Sequence, residues 1–286
     1  MTDTTSAFRA QARDWLAHNV PKTAPPPDGP ASRDYALSWQ RTQAQGGWAG
    51  IAWPKEMGGR GASVLEQIVW FEEYARAGAP SPLDATFVGV NHAGPTLIMC
   101  GTPEQRAFHL PKIVNGEVIW CQGFSEPGAG SDLGGIKARG VVDGNDLVVE
   151  GQKIWCSFAD IGDYQELLVR TDPTAKTSAA LTWIICPMNT PGITVRPIRT
   201  MAGAHKFCEV FYDGARIPLT NIVGGLNKGW ATAMSTLAFE RGTSSLALQL
   251  ALLHKVEWLL GACPRERPQL RARLCQLRAE GAAIRA

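Results

Sequence analysis

The residues best suited to chemistry lie between positions 121 and 157. The segment Cys121–Asp132 is typical of a strand that runs into a tight loop of small residues. Free backbone N–H groups in this loop, together with the hydroxyls of Ser125 and Ser131, suit a polar, planar or anionic ligand. Further along, Trp155 and Ser157 are two positions apart, so on a β-strand both side chains would point the same way. The two segments together predict an aromatic wall beside a hydroxyl, which suits a flat ring system.

Several other motifs are excluded around this loop. A dinucleotide-binding fingerprint needs a third glycine where Leu133 stands, and a nucleophile elbow needs glycine where Pro127 stands. The sequence also contains no Walker-type run ending in Gly-Lys-Ser/Thr and no His-Glu-x-x-His motif. Taken alone, Gly128–Asp132 is more typical of a surface turn, because Pro, Gly, Ser and Asp are the residues from which turns are built.

Composition sets the broad class of the protein. The chain has 286 residues, which is enough for two or three compact units. Its composition, with 45% hydrophobic and 19% charged residues, allows a sizeable core. A formal net charge of +2 is too small to indicate nucleic-acid binding. Seven cysteines without a Cys-x-x-Cys pair favour buried or free thiols in a reducing cytoplasm and argue against zinc. The sequence shows no signal peptide and no membrane span, so we expect a cytoplasmic protein without a metal or membrane site. The isolated residues His92, His109 and His205 are predicted to be structural or exposed.

The residue pattern divides the chain into three parts. Residues 1–117 carry apolar positions at helical spacing, with capping signatures at Ser63 and Thr102, and are predicted to form a helical domain. Residues 118–223 consist of short β-branched and aromatic runs without helices between them, which favours a closed antiparallel barrel or a sandwich over a parallel sheet. Residues 224–286 return to helical periodicity and are predicted to form a partial helical domain.

Three motifs follow one another along the chain, and these are Phe124–Asp132, Gly151–Trp155 and Leu237–Arg241. In this order and at these intervals they resemble the acyl-CoA dehydrogenase family, over essentially the whole chain. Within the family the chain is most similar to the large subunit of pimeloyl-CoA-type dehydrogenases, which share Trp120–Pro127. The resemblance implies an α+β fold with an N-terminal all-α domain, a middle antiparallel β-barrel domain and an incomplete C-terminal helical bundle.

The resemblance also implies FAD as the cofactor and an acyl-CoA as the substrate. Family members usually have threonine where Ser157 stands, a departure that keeps the hydroxyl. The positions that match the CoA-contacting residues are Ser131 and Arg241. The positions that match the flavin-contacting residues are Gln122, Phe124, Ser125, Trp155 and Ser157.

Glu240 is the residue to which the resemblance assigns the chemistry. Oxidation of an acyl-CoA removes a proton from the carbon next to the thioester while a hydride leaves the next carbon, so it needs a carboxylate base in a dry pocket. Isovaleryl-CoA dehydrogenase and similar members place this base in the helix that matches Leu237–Arg241, at the position of Glu240, whereas most relatives supply it later. By itself, the pair formed by Glu240 and Arg241 is more typical of an exposed helical charge pair, because charges on helices are usually solvated.

Family members extend further at the C-terminus, which leaves two explanations for this chain. Either it is truncated and weakly loaded with flavin, or a separate related subunit completes the bundle and covers apolar helical faces. We therefore expect a homo- or hetero-oligomer. An active enzyme would pass its electrons to an electron-transfer flavoprotein, although oxidase and monooxygenase relatives share the fold. The alternatives are a non-catalytic or half-site subunit of a heteromeric dehydrogenase, or a truncated inactive member. The acyl group is not encoded, because apolar pocket walls carry no recognisable pattern.

Overall fold

The structure, a computed structural model, describes residues 3–175 and 177–285. It combines N-terminal helices with a middle β-sheet, which confirms the predicted α+β class. The seven cysteines are free thiols, and most of them are buried, as their number and spacing predict.

The chain divides into two compact units. The helical unit consists of Met1–Ala24, Gly61–Asp84 and Arg241–Ala286. The sheet unit consists of Pro25–Arg60 and Ala85–Glu240. All the predicted site residues except Arg241 belong to the sheet unit.

The described residues form α-helices and β-strands in the following order. The helices are α1 (Asp3–Asn19), α2 (Gly29–Gln45), α3 (Val64–Arg76), α4 (Gly94–Cys100), α5 (Pro103–Val114), α6 (Gly229–Glu240), α7 (Leu246–Ala262) and α8 (Pro268–Arg285). The strands, all between α5 and α6, are β1 (Trp120–Gly123), β2 (Arg139–Asp143), β3 (Asp146–Ser157), β4 (Tyr164–Arg170), β5 (Leu181–Pro187), β6 (Ile193–Ile198), β7 (Phe207–Pro218) and β8 (Ile222–Val223).

Two of the predicted helix starts are confirmed in detail. Ser63 before α3 and Thr102 before α5 each form a capping box. The hydroxyl accepts the backbone N–H of the residue three positions later, and the side chain of that residue, Glu66 or Gln105, accepts the backbone N–H of the serine or threonine. Between these two helices, a π-helical turn at Gly89–Ala93 leads directly into α4 at Gly94. A Cβ atom at Gly94 would lie 2.0 Å from the Trp53 indole, so only glycine allows this close approach.

The sheet is open, so the prediction of a closed antiparallel barrel is wrong. The strand order is β6-β7-β3-β2-β4-β5-β8, with β1 paired to β4, and among the described strands the end strands β6 and β8 do not pair with each other. Strands β2 and β4 meet through the single parallel pair of Arg139 and Arg170, and β1 is also parallel to β4. Closure requires every strand to have two neighbours, and a run of short strands in a sequence does not reveal whether the last one returns to the first.

Strands from both halves of the strand order share one hydrophobic core. Apolar side chains of β3 and β7, such as Val149 and Val210, belong to the same buried cluster as Leu167 of β4 and Ile184 of β5. Strand β5 is buried along nearly its whole length because α6 also packs against it. A Cβ at Gly229, the first residue of α6, would lie 2.4 Å from the β5 backbone. The fold therefore holds α6, which ends at Glu240, directly against the sheet.

A buried carboxylate organises the helical unit. Glu73 on α3 is 1% exposed and accepts hydrogen bonds from Arg9 at 2.7 Å, from Arg13 at 2.9 Å and from Arg76 at 3.2 Å. Burial opposes ionisation of Glu73, but the hydrogen bonds from Arg13 and Arg9 outweigh it, so its pKa lies below the usual value. The ionised form therefore stabilises the fold above about pH 4, the value for an unfolded glutamate, and this stability is lost as the pH falls through the lowered pKa.

Replacing Glu73 by glutamine should lower the free energy of unfolding at pH 7 by about 3 kcal/mol, because three arginines lose their buried anionic partner. The matched control is Glu150→Gln, which breaks only the exposed pair with Arg139 and should cost less than about 1 kcal/mol. Urea unfolding of the two variants measures the difference. Equal losses would contradict the role assigned to Glu73.

Candidate functional site

A buried ion pair joins the two segments in which the sequence places the site. The fully buried ammonium of Lys153 on β3 donates to Glu126 Oε1 at 2.8 Å and to the Phe124 carbonyl at 3.0 Å. The Glu126 carboxylate also accepts the backbone N–H groups of Lys137 at 2.6 Å and of Ala138 at 2.9 Å. Burial lowers the pKa of Lys153, against the attraction of Glu126. Both charges thus have the partners that buried charges need.

This ion pair closes the loop after β1 at its base. Glu126 and Ala129 form an isolated β-bridge, and the Ile154 N–H donates to the Ser125 carbonyl at 3.0 Å. Ser125 is half-buried and Ser131 is exposed at the loop tip. Neither hydroxyl makes a hydrogen bond to another group within residues 3–175 and 177–285, so both are available to a ligand.

Trp155 lies in a β-bulge and not in the regular strand from which its orientation was predicted. Lys153 pairs with Val210 and Cys156 with Cys208, so β3 contains one residue more than β7 between these two pairs. Within this bulge Trp155 has a φ of 61°. Its indole is 58% exposed and contacts Phe207 edge-on, with 6.1 Å between the ring centroids. Cys156 is buried in the core, whereas Ser157 is half-buried. The bulge, and not strand alternation, therefore accounts for the exposed aromatic wall.

Gln122 of β1 is partly accessible, whereas Phe124, directly after β1, is buried. Phe124 is 4% exposed and belongs to the core around Trp120 and Trp183, and its carbonyl accepts from Lys153, so its ring is not available to a ligand. Strand β1 pairs with β4 along one edge, and no other described strand pairs with its second edge. This second edge offers backbone donors and acceptors to the rim of a planar polar group.

A buried polar cluster adjoins Gln122. Glu166 on β4 is in register with Gln122 and is fully buried. Its Oε1 accepts a hydrogen bond from Gln122 Nε2 at 2.8 Å and lies 3.1 Å from Nδ1 of His92, which is 3% exposed. His92 Nε2 and Glu166 Oε2 are buried and have no hydrogen-bond partner among the described residues. We call these three residues the His92 cluster.

The charge of Glu240 acts on this cluster. Burial lowers the pKa of His92, but the hydrogen bond with Glu166 and the charges of Glu166 and Glu240 outweigh it, so the pKa lies above the usual value. Burial raises the pKa of Glu166, His92 and Gln122 oppose this effect, and the charge of Glu240 adds to it. Among these influences, the charge of Glu240 is the smallest for both residues.

Sequence reasoning missed the His92 cluster. The sequence predicts His92 to be an isolated residue and assigns no role to Glu166. The available signal was a glutamate directly before the apolar run Leu167–Val169, in a strand that the structure buries throughout its centre. That signal is weak, because a strand with one solvated face also places charged residues beside apolar ones.

Glu240 is the last residue of α6, and its side chain is exposed. Helix α6 is joined to α4 by a hydrogen bond of 2.9 Å between the hydroxyls of Thr236 and Thr96. Glu240 lies one helical turn after Thr236, and His92 lies four residues before Thr96. The dry pocket expected around this carboxylate is not formed by the chain alone. Arg241 is exposed in the turn that follows.

Two surface cavities lie away from these residues. One of about 600 Å³ is lined by residues that include Glu56 and Arg106, and one of about 400 Å³ by residues that include Arg13 and Glu73. Within residues 3–175 and 177–285, no group of three or more His, Cys, Asp or Glu side chains is placed to hold a metal ion. No described helix combines the length and apolar character needed to cross a membrane.

Comparison with known families gives two matches. The acyl-CoA dehydrogenase N-terminal domain matches residues 2–117, and the acyl-CoA dehydrogenase middle domain matches residues 121–215. The chain is 38% identical over 278 residues to acyl-CoA dehydrogenase IpdE1 of Mycobacterium tuberculosis, covering 93% of this chain and 72% of that protein. It is 40% identical over 198 residues to acyl-CoA dehydrogenase FadE26 of the same organism, covering 68% of this chain and 48% of that protein.

Solved structures give the same result. The Tcur3481-Tcur3483 steroid ACAD superposes with a TM-score of 0.84 at 33% identity, covering 100% of this chain and 74% of that chain. The ChsE4-ChsE5 complex from Mycobacterium tuberculosis superposes with a TM-score of 0.80 at 31% identity, covering 100% of this chain and 75% of that chain.

Replacing Lys153 by methionine should loosen the loop between Glu126 and Ala138, because the buried Glu126 carboxylate loses its cation. We expect the free energy of unfolding to fall by about 3–5 kcal/mol and amide hydrogen exchange in residues 125–138 to become faster. The matched control is Lys137→Met, an exposed lysine of the same loop whose side chain is not part of the pair. Similar exchange in the two variants would contradict the role of the ion pair.

Proposed function

Because the chain belongs to the acyl-CoA dehydrogenase family, a family of oxidoreductases, we propose that it is an FAD-dependent dehydrogenase that forms a double bond between carbons two and three of an acyl-CoA thioester. The observation that supports this most directly is that one compact unit holds both the candidate base, Glu240, and the strand assigned to the flavin, β1. Within this unit, α6, which ends at Glu240, packs against β5 and is joined to α4 by the hydrogen bond between Thr236 and Thr96. We also propose domains at 1–117, 118–223 and 224–286, the first two of which the family matches support.

The residues of the loop and the bulge fit a flavin. Members of the family are FAD flavoproteins. Trp155 presents an indole that is 58% exposed, and the hydroxyls of Ser125 and Ser157 make no hydrogen bonds within the described residues. The second edge of β1, at Gln122 and the main chain of Phe124, offers backbone groups to a ring edge. We propose that these five residues hold the isoalloxazine ring.

The reaction would use Glu240 as the base. Bound FAD supplies the two-electron acceptor for the hydride that leaves carbon three. Glu240 accepts the proton from carbon two, so that its carboxylate becomes neutral while the new double bond forms. The carboxylate is exposed in the chain alone, and a bound thioester would displace the water around it and raise its basicity.

Two exposed residues are proposed to contact the CoA part of the substrate. Ser131 is exposed at the tip of the loop after β1, and Arg241 is exposed directly after Glu240. A hydroxyl and a guanidinium are both suited to phosphate oxygens. We further propose that an electron-transfer flavoprotein reoxidises the enzyme. Stoichiometric oxygen consumption during turnover would instead identify an oxidase.

We also propose that the chain assembles with a related subunit. Large apolar side chains of α7 and α8 are exposed, namely Leu252 at 55%, Trp258 at 71% and Leu270 at 46%. Apolar side chains concentrated on neighbouring helices indicate a surface that another protein covers. Two solved relatives, the Tcur3481-Tcur3483 steroid ACAD and the ChsE4-ChsE5 complex, carry names that join two components.

A second candidate function is a half-site subunit that positions substrate or flavin for a partner's base. The exposed position of Glu240 favours this alternative, because a working base needs an enclosure that the chain alone does not provide.

Glu240→Gln should slow the anaerobic bleaching of bound flavin by acyl-CoA thioesters by about a hundred- to ten-thousand-fold, because an amide does not accept the proton from carbon two. The flavin spectrum before substrate addition should be unchanged. The control Glu150→Gln alters an exposed glutamate of β3 and should keep the full rate. Unchanged bleaching in Glu240→Gln would support the half-site subunit instead.

Trp258→Glu should reduce association with the related subunit, because it places a charge in the most exposed part of the apolar surface of α7. Size-exclusion chromatography with light scattering would show the loss as a lower mass. The control Arg265→Glu reverses an exposed charge between α7 and α8 and should leave the assembly intact. A monodisperse, FAD-containing monomer of the unchanged protein would contradict the proposed assembly.

A further inference from the structure

The two ends of the Gln122 amide have different surroundings. Its Nε2 group donates a hydrogen bond to Glu166 Oε1 at 2.8 Å and lies 3.3 Å from Nδ1 of His92. Its Oε1 atom makes no hydrogen bond to another group within residues 3–175 and 177–285, and it is not one of their buried unpartnered atoms. The residue as a whole is half-buried. The accessible end of this amide is therefore its carbonyl oxygen, which accepts hydrogen bonds.

Glu166 dictates this orientation of the amide. An ionised carboxylate accepts hydrogen bonds and donates none, so a glutamine that contacts it must present its NH2 group. The contact is built into the sheet, because Gln122 of β1 and Glu166 of β4 are direct partners in the parallel pairing. If the amide turned over, two acceptor oxygens would face each other at hydrogen-bond distance, and their repulsion disfavours that arrangement.

His92 supports Glu166 from a third element. Its Nδ1 lies 3.1 Å from Oε1 of Glu166, the same oxygen that Gln122 uses, so an imidazole and an amide converge on one carboxylate oxygen. Hydrogen-bond donors on this oxygen favour the ionised carboxylate. The π-helical turn Gly89–Ala93, which carries His92, packs against β1, since a Cβ built at Gly89 would lie 3.5 Å from the Trp120 indole.

Stability alone does not explain the His92 cluster. Glu166 is fully buried, and its Oε2 atom and the Nε2 atom of His92 have no hydrogen-bond partner in the described part of the chain. An apolar residue of similar size would fill this strand position without the cost of burying a charge. What the cluster provides instead is an amide with a fixed orientation at an accessible position of β1.

We propose that Glu166, supported by His92, is a positioning residue that turns the Gln122 amide so that its Oε1 accepts the N3–H group of the flavin ring. The isoalloxazine ring of oxidised FAD carries its N–H group at N3, whereas its other rim nitrogens and its carbonyl oxygens accept hydrogen bonds. An outward NH2 group would not serve N3–H, so the inward hydrogen bond to Glu166 decides which part of the ring edge Gln122 recognises. The inference rests on the proposed function, because that function assigns the flavin to β1.

The test compares the binding of FAD with that of 3-methyl-FAD, an analogue that lacks the ring N–H. Fluorescence titration of the assembled protein, after its flavin has been removed, measures both affinities. The unchanged protein should prefer FAD at least about threefold, because the analogue loses one hydrogen bond. Glu166→Gln should reduce this preference by about threefold or more, because an amide at this position can face either end of Gln122. Equal affinities of the unchanged protein would overturn the proposal.

The matched control is Gln165→Met. Gln165 is the buried neighbour of Glu166 on β4, but its side chain points to the other face of the strand, where it accepts a hydrogen bond from Tyr212. This variant should affect both flavins alike and leave the preference for FAD unchanged. A purely structural loss would act in the same way in Glu166→Gln, so equal preferences in the two variants would overturn the proposal.

Gln122→Met decides the matter if the Glu166 variant does not fold. It removes the accepting oxygen from a half-buried position, and it should show the same fall in the preference for FAD. A full preference for FAD in this variant would overturn the proposal.

The outcomes separate this inference from the proposed function. If the unchanged protein binds both flavins equally and acyl-CoA thioesters still bleach the bound FAD, the inference alone fails. If the assembled protein binds neither flavin, the proposed function fails and the inference fails with it.

Discussion

The buried contact between Lys153 and Glu126 is the constraint on which the candidate site depends. Lys153 of β3 holds the segment directly after β1 through the Phe124 carbonyl and the Glu126 carboxylate. Glu126 in turn holds the end of the following loop through the backbone N–H groups of residues 137 and 138. Because a buried charge without its partner is strongly unfavourable, these segments hold their relative positions together. Ser125 is adjacent to Glu126, and Trp155 follows Lys153 by two residues. The ion pair thus fixes both halves of the ligand surface from a position inside the core.

The sequence predicted those features whose causes are local. The capping boxes at Ser63 and Thr102 depend on four consecutive residues, and the structure contains both. The family followed from ordered motifs, and the comparisons confirm it. Features that depend on distant segments were not predictable. The open sheet depends on whether β6 meets β8, and the exposure of Trp155 depends on a bulge in the pairing with β7. The His92 cluster depends on three separate elements that converge, namely the π-helical turn, β1 and β4.

Two carboxylates of the sheet unit have opposite surroundings. Glu166 is fully buried and hydrogen-bonded, whereas Glu240 is exposed at the end of α6. A buried acid held by neighbours has a fixed orientation, while an accessible acid can exchange a proton with a ligand. The proposed base role therefore falls on the carboxylate that a ligand can reach.

The backbone of Trp155 carries a consequence for how this protein can change. A residue other than glycine in the left-handed region costs about 1–3 kcal/mol, and glycine at the bulge would remove most of that strain. Selection for heat resistance alone would therefore favour loss of the indole. Under the proposed role of Trp155 at the flavin, durability and ligand recognition compete at this position, and redesign for stability would remove the aromatic wall.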